Sequence, residues 1–295
     1  MHFGLTLPNF GPYADARLLA ALAREAEATG WEGFFLWDHV LFGSLPVVDP
    51  WVALSAVALA TERIRLGPLV TPLPRRRPVK LAREAVSLDH LSNGRLVLGA
   101  GSGLLSWELE DLGEVADLKT RAAMLDEGLG LLTALWSGRP VNHRGEHYRV
   151  EAMLPGASEP AAFLPAPLQT PRIPIWLAAT WPHKRPFRRA ARWDGVAPMK
   201  AGQGLDERLT PDDLRAIVAY LRTQRGSMDG FDVVVAGTTA GADRAADAAT
   251  VGPYAETGAT WWLERIDPWR HGWAWHGPWP VERMNARISL GPPRP

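Results

Sequence analysis

Apolar positions along this chain keep two rhythms. Short, mostly apolar runs, Phe3 to Leu7, Gly33 to Trp37, Ile64 to Thr71 and Arg95 to Ala100, each stand about one strand-plus-helix unit beyond the last. Between them the apolar residues recur at helical spacing, as Leu18, Leu22 and Ala26, then Leu54, Val57 and Thr61, then Leu81, Ala85 and Leu88. Start and stop signals sit where those helices need them. Asp15 is placed to cap the first and Gly30 to close it, Asp49-Pro50 reads as N-cap plus first-turn proline of the second, and Pro78 opens the third. Asn93-Gly94 then turns the chain into the fourth run.

The second half repeats the plan after an interruption. A long helix over Lys119 to Trp136, with Leu125, Leu129, Leu132 and Leu135 inward, ends at Gly138. From Arg139 to Pro171 the spacing predicts a hairpin, Val141 to Val150 turning at Arg144-Gly145, and then a stretch rich in Pro, Ala and Gly. Apolar runs resume at Ile173 to Ala178, Asp194 to Pro198, Phe231 to Ala236 and Ala259 to Glu264. Thr210-Pro211-Asp212-Asp213 begins a helix that buries Leu214, Ile217 and Leu221. The reading is α/β: a (β/α)8 TIM barrel forming one domain over residues 1–295, with an insertion at about 139–171 between strands four and five. A C-terminal segment at about 267–295, holding Trp269, Trp273, Trp275 and Trp279, ends in a short helix around Met284 and Ile288.

Composition narrows the partners. Thirty-two basic and 32 acidic residues cancel, which removes the electrostatic case for nucleic acid or an anionic membrane surface. With no Cys, disulfides and thiolate metal sites are excluded. Met1 to Phe10 enters a strand without a basic leader and long apolar core, and no run of 18 uncharged apolar residues follows, so a soluble, cytoplasmic protein is expected.

Barrels of this kind carry their chemistry at the carboxyl ends of the strands. His39 directly follows strand two, where an imidazole suits proton transfer or hydrogen bonding; a loop histidine satisfied by backbone is the alternative. Asp38 either orients it or caps the loop. The loop Gly99-Ala100-Gly101-Ser102-Gly103 leaves backbone N–H groups open to a phosphate, with tight strand-to-helix packing as the competing reason for its glycines. It is not the dinucleotide fingerprint, because Leu104 stands where the third glycine belongs. Gly237 and Gly241 after strand seven are a rival phosphate loop. Trp107 and Trp181 stand near the mouth, to sandwich a planar ring or simply to pack. His143 and His147 have metal-like spacing only on a helix, and Gly145 between them argues for a hairpin, so no metal is expected. Arg75-Arg76-Arg77 reads as a solvated loop or a contact for an anionic tail. Lys200 past strand six carries the different-class alternative, a Schiff-base lyase.

These segments together resemble the bacterial luciferase-like family of flavin- or deazaflavin-dependent oxidoreductases over nearly the whole chain. The match rests on Phe3-Gly-Leu-Thr-Leu-Pro-Asn9, Trp37-Asp38-His39, Leu66 through Leu73 with Pro78, Leu88-Asp-His-Leu-Ser-Asn-Gly-Arg95 through Gly103, and Pro174-Ile-Trp-Leu-Ala178. The resemblance implies that His39, accompanied by Asp38, lies near the reactive edge of an isoalloxazine. It places a non-proline cis peptide at Leu69 and Val70 under the ring. The phosphate-contacting positions it implies are Ser102 and Leu104, beside the loop glycines Gly101 and Gly103 already read as cofactor-binding, with Ala179, Thr180 and His183 after strand five. Ser102 replaces an Arg of the luciferases and Ala179 offers no side chain, which leaves that phosphate site to backbone groups, Thr180 and His183. The implied function is an FMNH2-using monooxygenase acting on a small organic substrate, with reduced flavin from a separate reductase. The alternative is hydride transfer with coenzyme F420. A homodimer is expected, as related barrels commonly pair.

Overall fold

The computed structural model describes residues 1–151, 153, 156, 161–201 and 208–293. Residues 152, 154–155 and 157–160 of the expected insertion, and the last two of the C-terminal segment, lie outside the described residues. Strand and helix alternate through β1 (His2–Leu7), α1 (Ala16–Ala28), β2 (Gly33–Leu36), α2 (Pro50–Ala60), β3 (Arg65–Pro68), β4 (Thr71–Pro72), α3 (Pro78–Leu91), β5 (Leu98–Gly101), α4 (Ser106–Glu110) and α5 (Leu118–Trp136). An antiparallel hairpin of β6 (Asn142–Arg144) and β7 (Arg149–Glu151) comes next. The chain then runs through β8 (Ile175–Trp181), α6 (Lys184–Ala190), β9 (Gly195–Lys200), α7 (Pro211–Arg225), β10 (Asp232–Gly237), α8 (Arg244–Glu256), β11 (Trp261–Arg265) and α9 (Val281–Ser289).

Hydrogen bonds order the parallel strands β3-β2-β1-β11-β10-β9-β8-β5-β4, and a parallel bridge from Leu66 to Leu96 joins the two ends. β3 and β4 are halves of one stave, separated at the cis Leu69–Val70 peptide. The ring is therefore the eight-stave barrel the spacing predicts. Its helices begin where the capping residues stand: Asp15 accepts from the Arg17 and Leu18 N–H groups, Asp49 from Trp51 and Val52, and Thr210 with Asp213 closes a reciprocal capping box. Each such cap is worth about 1 kcal/mol.

The barrel is filled by rings set against glycines. Phe35, Trp176 and Trp261 meet inside it with centroids 5.2 to 6.1 Å apart, packed with Val97, Val234 and Leu263. A Cβ on Gly33 would stand 2.9 Å from Trp261 and one on Gly195 2.5 Å from Trp176, so the small residues make room for the large ones. A second apolar layer, including Leu19, Leu54, Leu81, Leu129, Ile217 and Met284, joins the strands to the helices.

Two strand bounds differ from the expected ones. The fourth barrel strand pairs regularly only from Leu98, because Arg95 is held to the end of α2, its guanidinium donating to the Ala58, Thr61 and Ile64 carbonyls at 2.8 to 2.9 Å. The fifth runs on to Trp181, since β9 stays paired with it as far as Trp181 opposite Lys200. Ala179 and Thr180 thus end a strand instead of following it.

Candidate functional site

The loop after β2 is tied down by a residue of the loop after β1. Asn9, fully buried, donates to the His39 and Val48 carbonyls, both at 2.8 Å, and accepts the His39 N–H at 3.2 Å. The imidazole of His39 is held from the other side. Its Nδ1 lies 3.0 Å from Oε2 of Glu108, on the short helix α4 that follows the glycine loop. The second oxygen of Glu108 accepts the Val40 N–H at 2.9 Å and Arg75 Nη1 at 3.2 Å, and Arg75 reaches on to Glu114 at 3.0 Å. Burial by itself would raise the Glu108 pKa. The His39 hydrogen bond and charge, the Val40 N–H and Arg75 outweigh it and hold the carboxyl at about 2. An ionised carboxylate only accepts, so Nδ1 of His39 carries the hydrogen in this contact and Nε2 is the ring nitrogen that Glu108 does not hold.

Asp38 is engaged elsewhere. Its buried carboxylate takes the Thr71 hydroxyl at 2.5 Å and Arg76 at 2.8 Å, binding the loop after β2 to β4. The His39 ring is paired with Glu108, and Asp38 with Arg76. Between these loops lies the cis Leu69–Val70 peptide, at the position the resemblance implied.

The glycines after β5 divide by role. Gly99 is demanded by packing, since a Cβ there would meet the Pro68 carbonyl at 2.3 Å. Gly101 faces Val70 and Ala178, which brings the loop after strand four beside the end of strand five. Gly103 takes a φ of +86°, and its absent Cβ would lie 3.3 Å from Nη1 of Arg121. Arg121 is 5% exposed, and its Nε and Nη1 have no hydrogen-bond partner among the described residues. Burial lowers its pKa, and the carboxylates of Asp117, Glu110 and Glu114 offset this only in part. A buried cation with open donors beside a glycine loop is a donor set for an anion. Ser102 and Thr180 are half-buried, Ala179 is buried, and Leu104 and His183 face solvent.

Other candidates are committed to structure. In the loop after β10, the Thr239 N–H already donates to Glu264, and the Ala240 and Gly241 N–H groups to Asp247, so the backbone of the rival phosphate loop is spent. A Cβ on Gly237 would meet Trp262 at 2.2 Å. Lys200 pairs with Asp213 at 3.1 Å and belongs to the cap of α7. On the hairpin, His143 Nε2 and the His147 N–H both bind Glu127, at 2.9 Å each. Among the described residues no group of three or more His, Asp or Glu is placed to hold a metal, and no helix is long and apolar enough to cross a membrane.

The Trp-rich segment joins the mouth. Trp269 stacks on Trp37 at 6.1 Å and Trp275 on Phe42 at 5.8 Å, while Phe10 and Phe42 stand edge-on to His39 at 5.6 and 5.1 Å. Glu108 and Arg121 have no place in the sequence reading, and Asn9 stands there only as the end of a segment that carries the resemblance, without a role. The significance of all three comes from what long-range folding sets beside them.

Comparison with known proteins gives the family and the fold. The family model described as Luciferase-like monooxygenase matches residues 1–265. An F420-dependent glucose-6-phosphate dehydrogenase of Nocardia farcinica is 32% identical over 244 residues, 79% of this chain and 66% of that one. The oxygenase component of the flavin-dependent trigonelline monooxygenase of Acinetobacter baylyi is 30% identical over 166 residues, 56% of this chain and 44% of that one. Both are thus matched over less than two thirds of their own length. Among solved structures, a monooxygenase from Streptomyces bottropensis superposes with a TM-score of 0.73 at 20% identity, covering 98% of this chain and 97% of that one. A closed parallel barrel and a family match across nine barrel strands lead to one assignment: this chain belongs to the luciferase-like monooxygenase family of oxidoreductases.

Proposed function

We propose that this protein is a redox enzyme that takes a reduced flavin-type cofactor across the barrel mouth and uses His39 to exchange a proton with its substrate. The observation that carries the reading is the buried Glu108 carboxylate on Nδ1 of His39, which fixes the tautomer and aims one basic nitrogen. Arg121 and the Gly101–Gly103 backbone would hold the cofactor phosphate, with Ser102, Leu104, Ala179, Thr180 and His183 around it. Leu69 and Val70 would underlie the ring. When bound, the cofactor supplies the electron pair; the chain supplies orientation, a dry apolar mouth and the proton.

The first reading is an FMNH2-using monooxygenase. Arg121 restores the positive charge that Ser102 does not bring to the phosphate loop, and the aromatic roof over His39 keeps water from the reacting centre. A separate reductase would then deliver the reduced flavin, as the name of the Acinetobacter relative suggests for that protein. The second reading is F420-dependent hydride transfer. A histidine locked by a carboxylate is what an alcohol or carbonyl substrate needs for the accompanying proton.

Titration with FMN, reduced FMN and F420 under nitrogen, followed by absorbance, separates the two. The bound reduced cofactor is then oxidised with dioxygen and with a panel of small organic substrates. His39→Ala is expected to slow that oxidation about a hundredfold, with cofactor affinity and melting temperature held. Wild-type rates in this variant would take His39 out of the reaction, and no affinity for any of the three would sink the reading.

A further inference from the structure

Helix α6 opens with charges that oppose a helix start. Lys184 and Arg185 stand in its first turn, where the open N–H groups favour acids, and the turn has neither an acidic residue nor a side-chain cap. Arg188, Arg189 and Arg192 follow at three, four and seven positions beyond Arg185, so four guanidiniums line one side of this helix and its exit. Like charges at that spacing repel, and fold stability alone would not select them.

Together with Asp126 on α5, these arginines line a groove of about 400 Å³. One carboxylate already lies in it. Asp126 receives Arg189 as a fork, Nε at 2.7 Å and Nη2 at 2.9 Å, and accepts Arg192 Nη2 at 2.8 Å. Arg185 and Arg188 are exposed and have no carboxylate partner among the described residues. The neighbouring cation is engaged, since Lys184 lies over the Trp181 ring at 3.4 Å and the Tyr220 ring at 4.8 Å. The groove thus sets four positive charges against one negative, in a chain whose charges cancel overall.

Asp126 shows which anion this arrangement accepts. A guanidinium fork matches a planar carboxylate, and Arg185 and Arg188 offer two more such forks one helical turn apart. A nucleic acid would need a basic surface extended over many phosphates, and the balanced charge of the chain supplies no such field.

We propose that the groove between α5 and α6 docks an acidic segment of a partner protein, whose carboxylates Arg185 and Arg188 receive as Arg189 and Arg192 receive Asp126. The proposal is independent of the redox reading given above.

Fluorescence anisotropy of labelled octaglutamate, titrated with the intact protein, tests this at low and at physiological ionic strength. Saturable binding is expected, weaker at the higher salt because the contacts are exposed ion pairs. Arg185→Glu with Arg188→Glu should lower the affinity at least about tenfold and hold the melting temperature, since neither side chain is tied into the fold. Arg17→Glu with Arg24→Glu, an equal change of charge at exposed positions of α1, should leave the affinity unchanged. Absent or salt-insensitive binding, an equal loss in the two double variants, or tighter binding of tripolyphosphate or of a single-stranded oligonucleotide would each overturn the proposal. So would displacement of the peptide by F420, whose tail also carries carboxylates, since the groove would then belong to the cofactor.

Discussion

At the scale of single residues, the site is built from groups that fold stability alone would not choose. Arg121 is buried with two nitrogens unpartnered, so its replacement should move stability and binding in opposite directions. Arg121→Met is expected to raise unfolding free energy by about 1 kcal/mol and to weaken cofactor binding at least about tenfold. Thermal melts and cofactor titration check the pair of signs; a loss of stability with unchanged affinity would make Arg121 a packing residue. Glu108 gives a pH prediction. Its folded pKa of about 2 lies below the 4.5 of an unperturbed glutamate, so the stability it contributes is complete above about pH 4.5 and is lost as pH falls toward 2. Melting temperatures between pH 6 and pH 2.5 should fall less steeply in Glu108→Gln than in the wild type, and parallel curves would deny Glu108 that role. Of these residues only His39 was legible as a candidate, from its place at a strand end. Glu108 lies 69 positions away from it in sequence, and no local pattern connects them.

At the scale of elements, the chain's punctuation is written locally and its spacing tertiary. Caps such as Asp15, Asp49 and Thr210 act on N–H groups two or three residues on, so the helix starts are readable from sequence. Glycines are not. A Cβ on Gly67 would stand 1.9 Å from the Val97 carbonyl on the neighbouring stave, whereas one on Gly130, mid-α5 and exposed, would meet nothing within 4 Å. Gly67→Ala should therefore cost about 3 kcal/mol or more, and Gly130→Ala should gain about 0.5 to 1 kcal/mol. Urea denaturation of the two variants measures both; similar values would mean that the β3 stave can yield at Gly67. The run to Ala178 read from sequence stopped three residues short of the real strand end for the same reason. What carries β8 to Trp181 is its partner β9, which apolar periodicity does not register.

At the scale of the molecule, β1 lies between β2 and β11, so the first strand completes the ring only when the last one arrives. The C-terminal segment is then pinned to that seam by charge. Glu264, fully buried, receives Arg270 at 3.0 Å and Arg287 at 3.4 Å together with the Thr239 N–H and hydroxyl. Glu264→Gln would leave two buried guanidiniums, still hydrogen-bonded to carbonyls, without their counter-charge, at a cost of about 3 to 5 kcal/mol, read as a lower urea midpoint. A change under about 1 kcal/mol would mean that aromatic packing, not this charge network, holds the segment. The sequence by itself determined the repeat, the barrel, the helix starts, the histidine at the second strand's end and the family likeness, because each is encoded in residues close together along the chain. Only the tertiary structure decided that Glu108 holds that histidine, that Arg121 waits unpaired behind the glycine loop, that the strand-seven glycines are already spent, and that the Trp-rich segment roofs the mouth. Those outcomes depend on which distant groups the ring closure brings into contact, and closure is a property of all eight staves at once.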